Sequence, residues 1–132
     1  MSSASITLAS KPENGTKVVS FVDTFARSND LDDDMRDKLM LLVSELATNG
    51  MEHGNNYDEH KNVRIAIRLK TEQIEVEVED EGDGFSPVDV PDPLAEENLL
   101  GTSGRGIFLI EALSDEVKYE NGGRLIRVFL NR

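Results

Sequence analysis

The amino-acid sequence predicts an α+β fold, a two-layer sandwich in which helices cover one face of a sheet. Two observations lead to this prediction. Alternating apolar and polar residues occur in two pairs of segments, each joined by a short turn, and the helical segments lie outside these pairs. Hairpins of this kind build antiparallel sheets, whereas a doubly wound parallel sheet needs a crossover between successive strands.

The N-terminal part of the chain predicts one strand and two helices. Alternation within residues 5–10 indicates the strand, and apolar residues at helical spacing from Val18 to Phe25 indicate the first helix. The second helix is expected to begin near Asp32–Asp34, where a capping side chain and acidic residues in the first turn are favourable. It is expected to run to about His53, where a Gly-Asn pair follows.

The remaining elements are two hairpins and one helix. Residues 63–69 and 74–79 alternate around a turn, which predicts an antiparallel pair with one buried face. On the other face, Arg and Lys lie opposite Glu. The side chains of this face, among them Glu75, Glu77 and Glu79, are expected to be solvated. Apolar residues 107–110 predict a helix that is buried on all sides, and residues 117–130 predict the last hairpin.

Composition restricts the classes of function. The 132 residues predict a single domain, 1–132, and the 26 acidic against 14 basic residues give a net charge of −12. This charge argues against direct binding to nucleic acid or to an anionic membrane. The absence of cysteine excludes disulfides, thiolate zinc sites and a cysteine nucleophile. Without a signal peptide or an apolar run of membrane-spanning length, a soluble cytoplasmic protein is expected.

Polar residues interrupt two of the predicted elements at places where core residues are expected. Glu45 and Asn49 lie one turn apart on the second helix and continue its apolar face. Asp80 follows the inward-facing positions of a strand, and Gly82 and Gly84 come directly after it. Buried carboxylates and amides are costly without a partner. Taken alone, the first cluster is equally well explained as an ordinary helix edge with solvated ends. The second cluster alone is a weak signal, because a tight Asp-Gly turn is common.

A third cluster opens the helix predicted around residues 107–110. Gly104 and Gly106 would expose backbone N–H groups at a helix N-terminus, which favours an anion, and Arg105 adds positive charge. The alternative is a flexible entry loop with Ser103 as the helix cap, and a glycine-rich loop alone is a weak signal. The cluster is not a Walker A motif, because no Gly-Lys-Ser/Thr follows it.

The order and spacing of the three clusters are more specific than any one of them. E-x-x-x-N on a helix, D-x-G-x-G after a strand and G-x-G opening a later helix resemble the N, G1 and G2 boxes of the Bergerat-fold ATPases. Within that superfamily, residues 45–55 and 103–109 are typical of the anti-sigma factor serine kinases. The resemblance covers nearly the whole chain. It implies a Bergerat fold, with a mixed, mostly antiparallel sheet covered on one face by helices.

The resemblance also implies roles for individual residues. Asn49 would help to hold a Mg²⁺ that bridges the ATP phosphates, Glu45 would be the general base, and Asp80 would bind the adenine amino group. Residues 86–102 would form the ATP lid. The other nucleotide-binding positions that it implies are His53, Gly82, Gly84, Ser103, Gly104, Arg105 and Gly106.

In function, the resemblance implies an ATP-dependent serine/threonine protein kinase that acts as an anti-sigma factor. Such a protein binds a sigma factor, phosphorylates a STAS-type anti-anti-sigma protein and often forms a homodimer. One alternative stays open at this point. The chain could be a non-catalytic or weakly catalytic ATP-binding module of the same fold that sequesters a protein other than a sigma factor.

Overall fold

The computed structural model describes residues 2–82 and 103–132. Gly84 and the predicted ATP lid at 86–102 therefore lie outside the described residues. The helices and strands are β1 (Ser2–Ala9), α1 (Gly15–Ser28), α2 (Asp33–Asn49), β2 (Asn62–Leu69), β3 (Gln73–Glu79), α3 (Ser103–Leu113), β4 (Glu116–Glu120) and β5 (Leu125–Asn131). None of the helices within these two ranges is long and apolar enough to cross a membrane.

The five strands form one sheet in the order β1-β2-β3-β5-β4. Every strand pair among the described residues is antiparallel, with Ile65 opposite both Ile6 and Val78, and Val78 opposite Ile126. The two predicted hairpins are present as β2–β3 and β4–β5. The predicted α+β class is confirmed, and among the described strands β1 and β4 are the edges of the sheet.

The hydrophobic core lies between the helices and one face of the sheet. Val22 of α1, Leu42 of α2 and Ile110 of α3 are fully buried, and they face apolar strand residues such as Ile65 and Val128. Burial of each such side chain contributes about 1.5–3 kcal/mol. This packing holds the end of α2 close to the end of β3, where two of the polar clusters lie.

Helix α3 is less buried than its sequence predicts. Ile110 is fully buried, but Phe108 is 50% exposed, so the expectation of a helix buried on all sides is wrong at that position. The reason is geometric, because α3 packs against α2 and β4 and its opposite side has no described element over it.

The other face of the sheet carries a cluster of paired charges. We call it the sheet-face ion network, and its members are Arg64, Arg68, Lys70, Glu75, Glu77, Glu79, Glu120 and Arg127. Arg68 Nη1 lies 2.8 Å from Glu77 Oε1, and Arg127 Nη2 lies 3.0 Å from the same oxygen. The cross-strand pairing that the sequence predicts is therefore present, and it extends across β2, β3, β5 and β4.

The expectation that all three glutamates of β3 are solvated is wrong. Glu75 is only 6% exposed and Glu77 only 5%, because the long side chains of Arg68 and Arg127 lie over them. Burial alone would raise the pKa of Glu77. The hydrogen bond and charge of Arg68, with the charges of Arg127 and Arg64, outweigh burial and lower that pKa below its usual value.

Candidate functional site

The first part of the site is the C-terminal end of α2. The helix begins as predicted, with the Asp32 side chain accepting a 2.7 Å hydrogen bond from the Met35 N–H. After Asn49 it continues into one π-helical turn, Gly50–Gly54, which agrees with the predicted end near residue 53. π-Helical turns of this kind often mark functional sites.

Glu45 and Asn49 are available to a ligand. Glu45 is half-buried and Asn49 is buried, as their place beside the apolar face of α2 predicts. No described residue forms a hydrogen bond or an ion pair with either side chain. The two side chains therefore offer oxygen ligands on one side of the helix.

The second part of the site is the turn after β3. Asp80 is 7% exposed and points to the helix side of the sheet, as the strand alternation predicts. Its backbone N–H donates to the Arg124 carbonyl at 2.9 Å, and its Oδ1 accepts from the Gly82 N–H at 2.8 Å. The other carboxylate oxygen has no hydrogen-bond partner among the described residues, so it can accept a bond from a ligand.

Burial raises the pKa of Asp80. The Gly82 N–H and the charges of Arg124 and Lys61 act in the opposite direction, but the loss of solvation is the largest effect. A carboxylate in such an environment gains more from a hydrogen-bond donor than an exposed carboxylate does.

Three glycines allow the two parts of the site to meet. A Cβ on Gly54 would overlap the Asp80 carboxylate, and a Cβ on Gly82 would overlap the Gly54 carbonyl oxygen. A Cβ on Gly50 would lie only 3.3 Å from Val63 Cγ2 and 3.7 Å from Asp80 Cβ. The end of α2 and the turn after β3 are therefore in backbone contact. Gly54 was not among the predicted site residues.

Asn55 ties the two parts together, and sequence reasoning missed it. Its side chain is 1% exposed. Its Nδ2 donates to Ser10 Oγ at 2.8 Å and to the Asn62 carbonyl at 3.0 Å, and its Oδ1 accepts from the Glu81 N–H at 2.8 Å. The sequence indicates only a helix stop at this position. Asn55 thus fixes the residue next to Asp80 against β1 and β2.

We expect Asn55→Ala to lower the free energy of unfolding by about 1–3 kcal/mol, because it leaves buried polar groups unpaired. Asn62→Ala is the matched control, since it removes an exposed amide beside the same turn while the backbone carbonyl stays. Urea unfolding of both variants measures the effect. Equal effects of both substitutions would contradict this role of Asn55.

The other predicted residues are less fully placed. His53 lies on the π-helical turn with an exposed side chain, and its Nε2 is 3.7 Å from Glu52 Oε2. The backbone of Ser103–Gly106 forms the start of α3, as predicted, and α3 packs against α2. The structure therefore brings Asp80 and Gly82 to the end of α2. The third predicted cluster lies at the N-terminus of α3, the helix that packs against α2.

The described residues fit a metal ion that takes most of its ligands from a bound phosphate compound and from water. They contain no group of three or more Asp, Glu or His side chains that could hold a metal ion. Asn49 provides an amide oxygen of the kind that Mg²⁺ accepts, and Mg²⁺ commonly takes its other ligands from phosphates and water.

Comparison with known proteins identifies the family. The sequence matches the histidine kinase-like ATPase domain over residues 8–130. The chain belongs to this family, which confirms the one predicted from the three motifs.

The individual relatives indicate the group within the family. An anti-sigma F factor of Oceanobacillus iheyensis is 32% identical over 116 residues, which are 86% of this chain and 80% of that protein. The serine-protein kinase RsbW of Bacillus subtilis is 35% identical over 91 residues, 63% of this chain and 56% of that protein. The same kinase of Staphylococcus aureus is 33% identical over 109 residues, 75% and 67% of the two chains. This chain thus spans little more than half the length of some relatives that it matches.

Proposed function

We propose that this chain is an ATP-dependent serine/threonine protein kinase that acts as an anti-sigma factor in a partner-switching pathway. It binds a sigma factor and phosphorylates a STAS-type anti-anti-sigma protein. The observation that carries the proposal is the position of Glu45 and Asn49 one turn apart on α2, without a partner among the described residues, beside the contact between Gly54 and the buried Asp80. The family match and the relatives named serine-protein kinase and anti-sigma F factor support it.

The end of β3 would hold the adenine. Asp80 would accept a hydrogen bond from the adenine amino group through the carboxylate oxygen that Gly82 leaves free. The N-terminal N–H groups of α3 favour phosphate oxygens because of the helix dipole. The further nucleotide-binding positions in this proposal are His53, Gly82, Gly84, Ser103, Gly104, Arg105 and Gly106.

Glu45 would act as the general base. Its carboxylate would take the proton from the serine or threonine hydroxyl of the protein substrate. The hydroxyl oxygen would then bond to the γ-phosphorus as the bond to the departing ADP breaks. Because no described residue neutralises Glu45, its carboxylate is free to receive this proton.

Asn49 would contribute its amide oxygen to a bound Mg²⁺. That ion supplies charge neutralisation at the phosphates. Asn49 is buried beside the apolar face of α2.

The remaining parts of the proposal concern the domain organisation, the location and the assembly of the protein. Residues 1–132 would act as one ATPase domain with its lid at 86–102. The protein would work in the cytoplasm, where ATP is available, as a homodimer and without direct contact with nucleic acid or membrane. The net charge of −12 supports the exclusion of nucleic acid and of an anionic membrane as partners.

The test of the proposed activity is the substitution Glu45→Gln. We expect it to lower phosphoryl transfer from ATP to a candidate STAS protein about 10²–10⁴-fold, the range for loss of a general base. The dissociation constant for ATP should stay unchanged. Radiolabelled ATP with Mg²⁺ measures transfer, and calorimetry measures binding.

Asp37→Asn is the control, because it removes an exposed carboxylate from the same helix two turns earlier. Transfer by Glu45→Gln at the wild-type rate would contradict the role of Glu45. Tight ATP binding by the wild-type protein without transfer to any STAS candidate would favour the alternative, an ATP-binding module that sequesters another protein.

A further inference from the structure

Arg124 lies opposite Asp80, the buried carboxylate of the candidate site. In the β3–β5 register Glu79 pairs with Leu125, so the next residue along, Asp80, falls opposite Arg124. The Asp80 N–H donates to the Arg124 carbonyl at 2.9 Å, which continues the pairing one residue beyond the two strands. Residues directly opposite each other in an antiparallel pair have Cβ atoms about 4.5–5.5 Å apart. The sheet thus places a basic residue beside Asp80.

The guanidinium group of Arg124 has no acidic partner among the described residues. Its Nε donates to the Asn121 carbonyl at 3.3 Å, and its side chain is exposed. The arginines of the sheet-face ion network differ, because each of them has at least one glutamate partner. Arg124 and Asp80 also line the same open cavity at this end of the sheet. The charge of Arg124 is therefore available to stabilise a negative charge close to it.

Asp80 lies among charges of both signs. Burial raises the pKa of Asp80 and the Gly82 N–H lowers it, and among the surrounding charges that of Arg124 has the largest effect, which is to lower the pKa. Lys61 acts in the same direction as Arg124, and Glu79 acts against both. The other titratable groups near Asp80 are Glu81 in the same turn and the Glu52–His53 pair on the π-helical turn. Arg124 thus offsets part of the cost that burial imposes on the carboxylate.

The ionised form of Asp80 matters because only one of its oxygens is free. Asp80 Oδ1 accepts a hydrogen bond from the Gly82 N–H at 2.8 Å, so a proton on the carboxyl group would lie on Oδ2. That oxygen would then present an O–H group where the adenine amino group, itself a donor, needs an acceptor. Protonation of Asp80 would therefore weaken the proposed contact with adenine.

We propose that Arg124 is a positioning residue for nucleotide binding, which keeps Asp80 ionised and so keeps its free oxygen an acceptor for the adenine amino group. Arg124 acts through Asp80 and needs no contact of its own with ATP. Its part in binding rests on the proposed nucleotide site, whereas its effect on Asp80 is present without nucleotide. The site should therefore bind ATP at lower pH with Arg124 than without it.

The first test follows the titration of Asp80 in the protein without nucleotide. Carbon NMR of the Asp80 carboxyl group in Arg124→Gln should give a midpoint at higher pH than in the wild type, because a neutral side chain no longer favours the carboxylate. Arg124→Lys keeps the charge and should restore the wild-type midpoint. Arg27→Gln is the matched control, since it removes the same charge at the C-terminal end of α1, where Arg27 pairs with Asp23. Equal midpoints in the wild type and Arg124→Gln would overturn the proposal.

The second test is calorimetric titration with ATP and Mg²⁺, from pH 8 downward through the Asp80 midpoint. The ATP dissociation constant of Arg124→Gln relative to the wild type should rise about two- to fivefold as Asp80 titrates, the range for one exposed charge. This ratio cancels the titration of ATP itself and of His53, which all variants share. For Arg124→Lys and Arg27→Gln the ratio should not change with pH.

The two tests distinguish the role of Arg124 from the proposed function. A wild-type protein that binds no ATP would contradict the proposed function, while the NMR titration would still decide the effect of Arg124 on Asp80. A shifted Asp80 midpoint together with a ratio that is constant with pH would show that binding does not need ionised Asp80. That result would overturn the role of Arg124 in ATP binding.

Discussion

Gly82→Ala is expected to weaken ATP binding at least about tenfold and to lower the free energy of unfolding by about 1–3 kcal/mol. The added Cβ would overlap the Gly54 carbonyl oxygen, which belongs to the backbone and cannot rotate away. Relief of this overlap requires the turn after β3 to move away from the end of α2. Because the Gly82 N–H holds Asp80 Oδ1 at 2.8 Å, the carboxylate would move with it.

Gly15→Ala is the control for this substitution. Gly15 opens α1, and a Cβ there would meet no atom within 4 Å, so alanine should be neutral or slightly stabilising. Calorimetric titration with ATP and urea unfolding of both variants measure the effects. Normal ATP affinity in Gly82→Ala would show that contact between Gly54 and Gly82 does not position Asp80.

The second large effect is expected from Glu77→Gln in the sheet-face ion network. Glu77 is buried and pairs with Arg68, Arg127 and Arg64, so a neutral side chain leaves three guanidinium groups without this partner. Removal of one member of a buried ion pair costs about 3–5 kcal/mol. The arginine side chains are 28–39% exposed, and water can partly replace the lost partner. We therefore expect a loss of about 1–3 kcal/mol at pH 7.

The effect of Glu77→Gln should depend on pH in a defined direction. The pKa of Glu77 is lower in the folded protein than its ordinary value of 4.5, so the unfolded chain binds the proton more readily. Its stabilising contribution is therefore complete above about pH 5 and is lost as the pH falls through the folded-state pKa. Asp80 acts in the opposite sense, since its raised pKa makes protonation favour the folded state.

Glu79→Gln is the control, because Glu79 lies on the same strand face but its side chain is 38% exposed. Exposed ion pairs contribute about 0–1 kcal/mol to the free energy of unfolding. Urea unfolding of the wild type and both variants between pH 7 and pH 3 measures the difference. A Glu77→Gln difference that stayed constant over this range would contradict the assigned ionisation.

The sequence predicted the parts of the fold that depend on local pattern. The hairpins, the start of α2 at Asp32 and the inward direction of Asp80 follow from periodicity and capping, which neighbouring residues determine. The burial of Glu75 and Glu77 could not be predicted in this way, since it depends on Arg127, which is fifty residues away in the chain and comes adjacent only when β5 pairs with β3.

The same distinction applies to the site. Glu45 and Asn49 could be identified because their spacing places them on one side of a helix. Gly54 and Asn55 could not, because their importance lies in backbone contact and hydrogen bonds to Ser10 and Glu81, in other segments of the chain. A Gly-Asn pair in the sequence predicts the same helix stop whether or not the Asn side chain is buried in the folded protein.

The sheet-face ion network has a consequence for the long-range field of the molecule. Its four basic and four acidic side chains cancel, so the net charge of −12 is carried entirely by the rest of the chain. An approaching cationic protein would therefore be drawn away from the broad face of the sheet. Diffusional encounter is biased in this way before any contact forms, and the faster association rate of such a partner would disappear at high ionic strength.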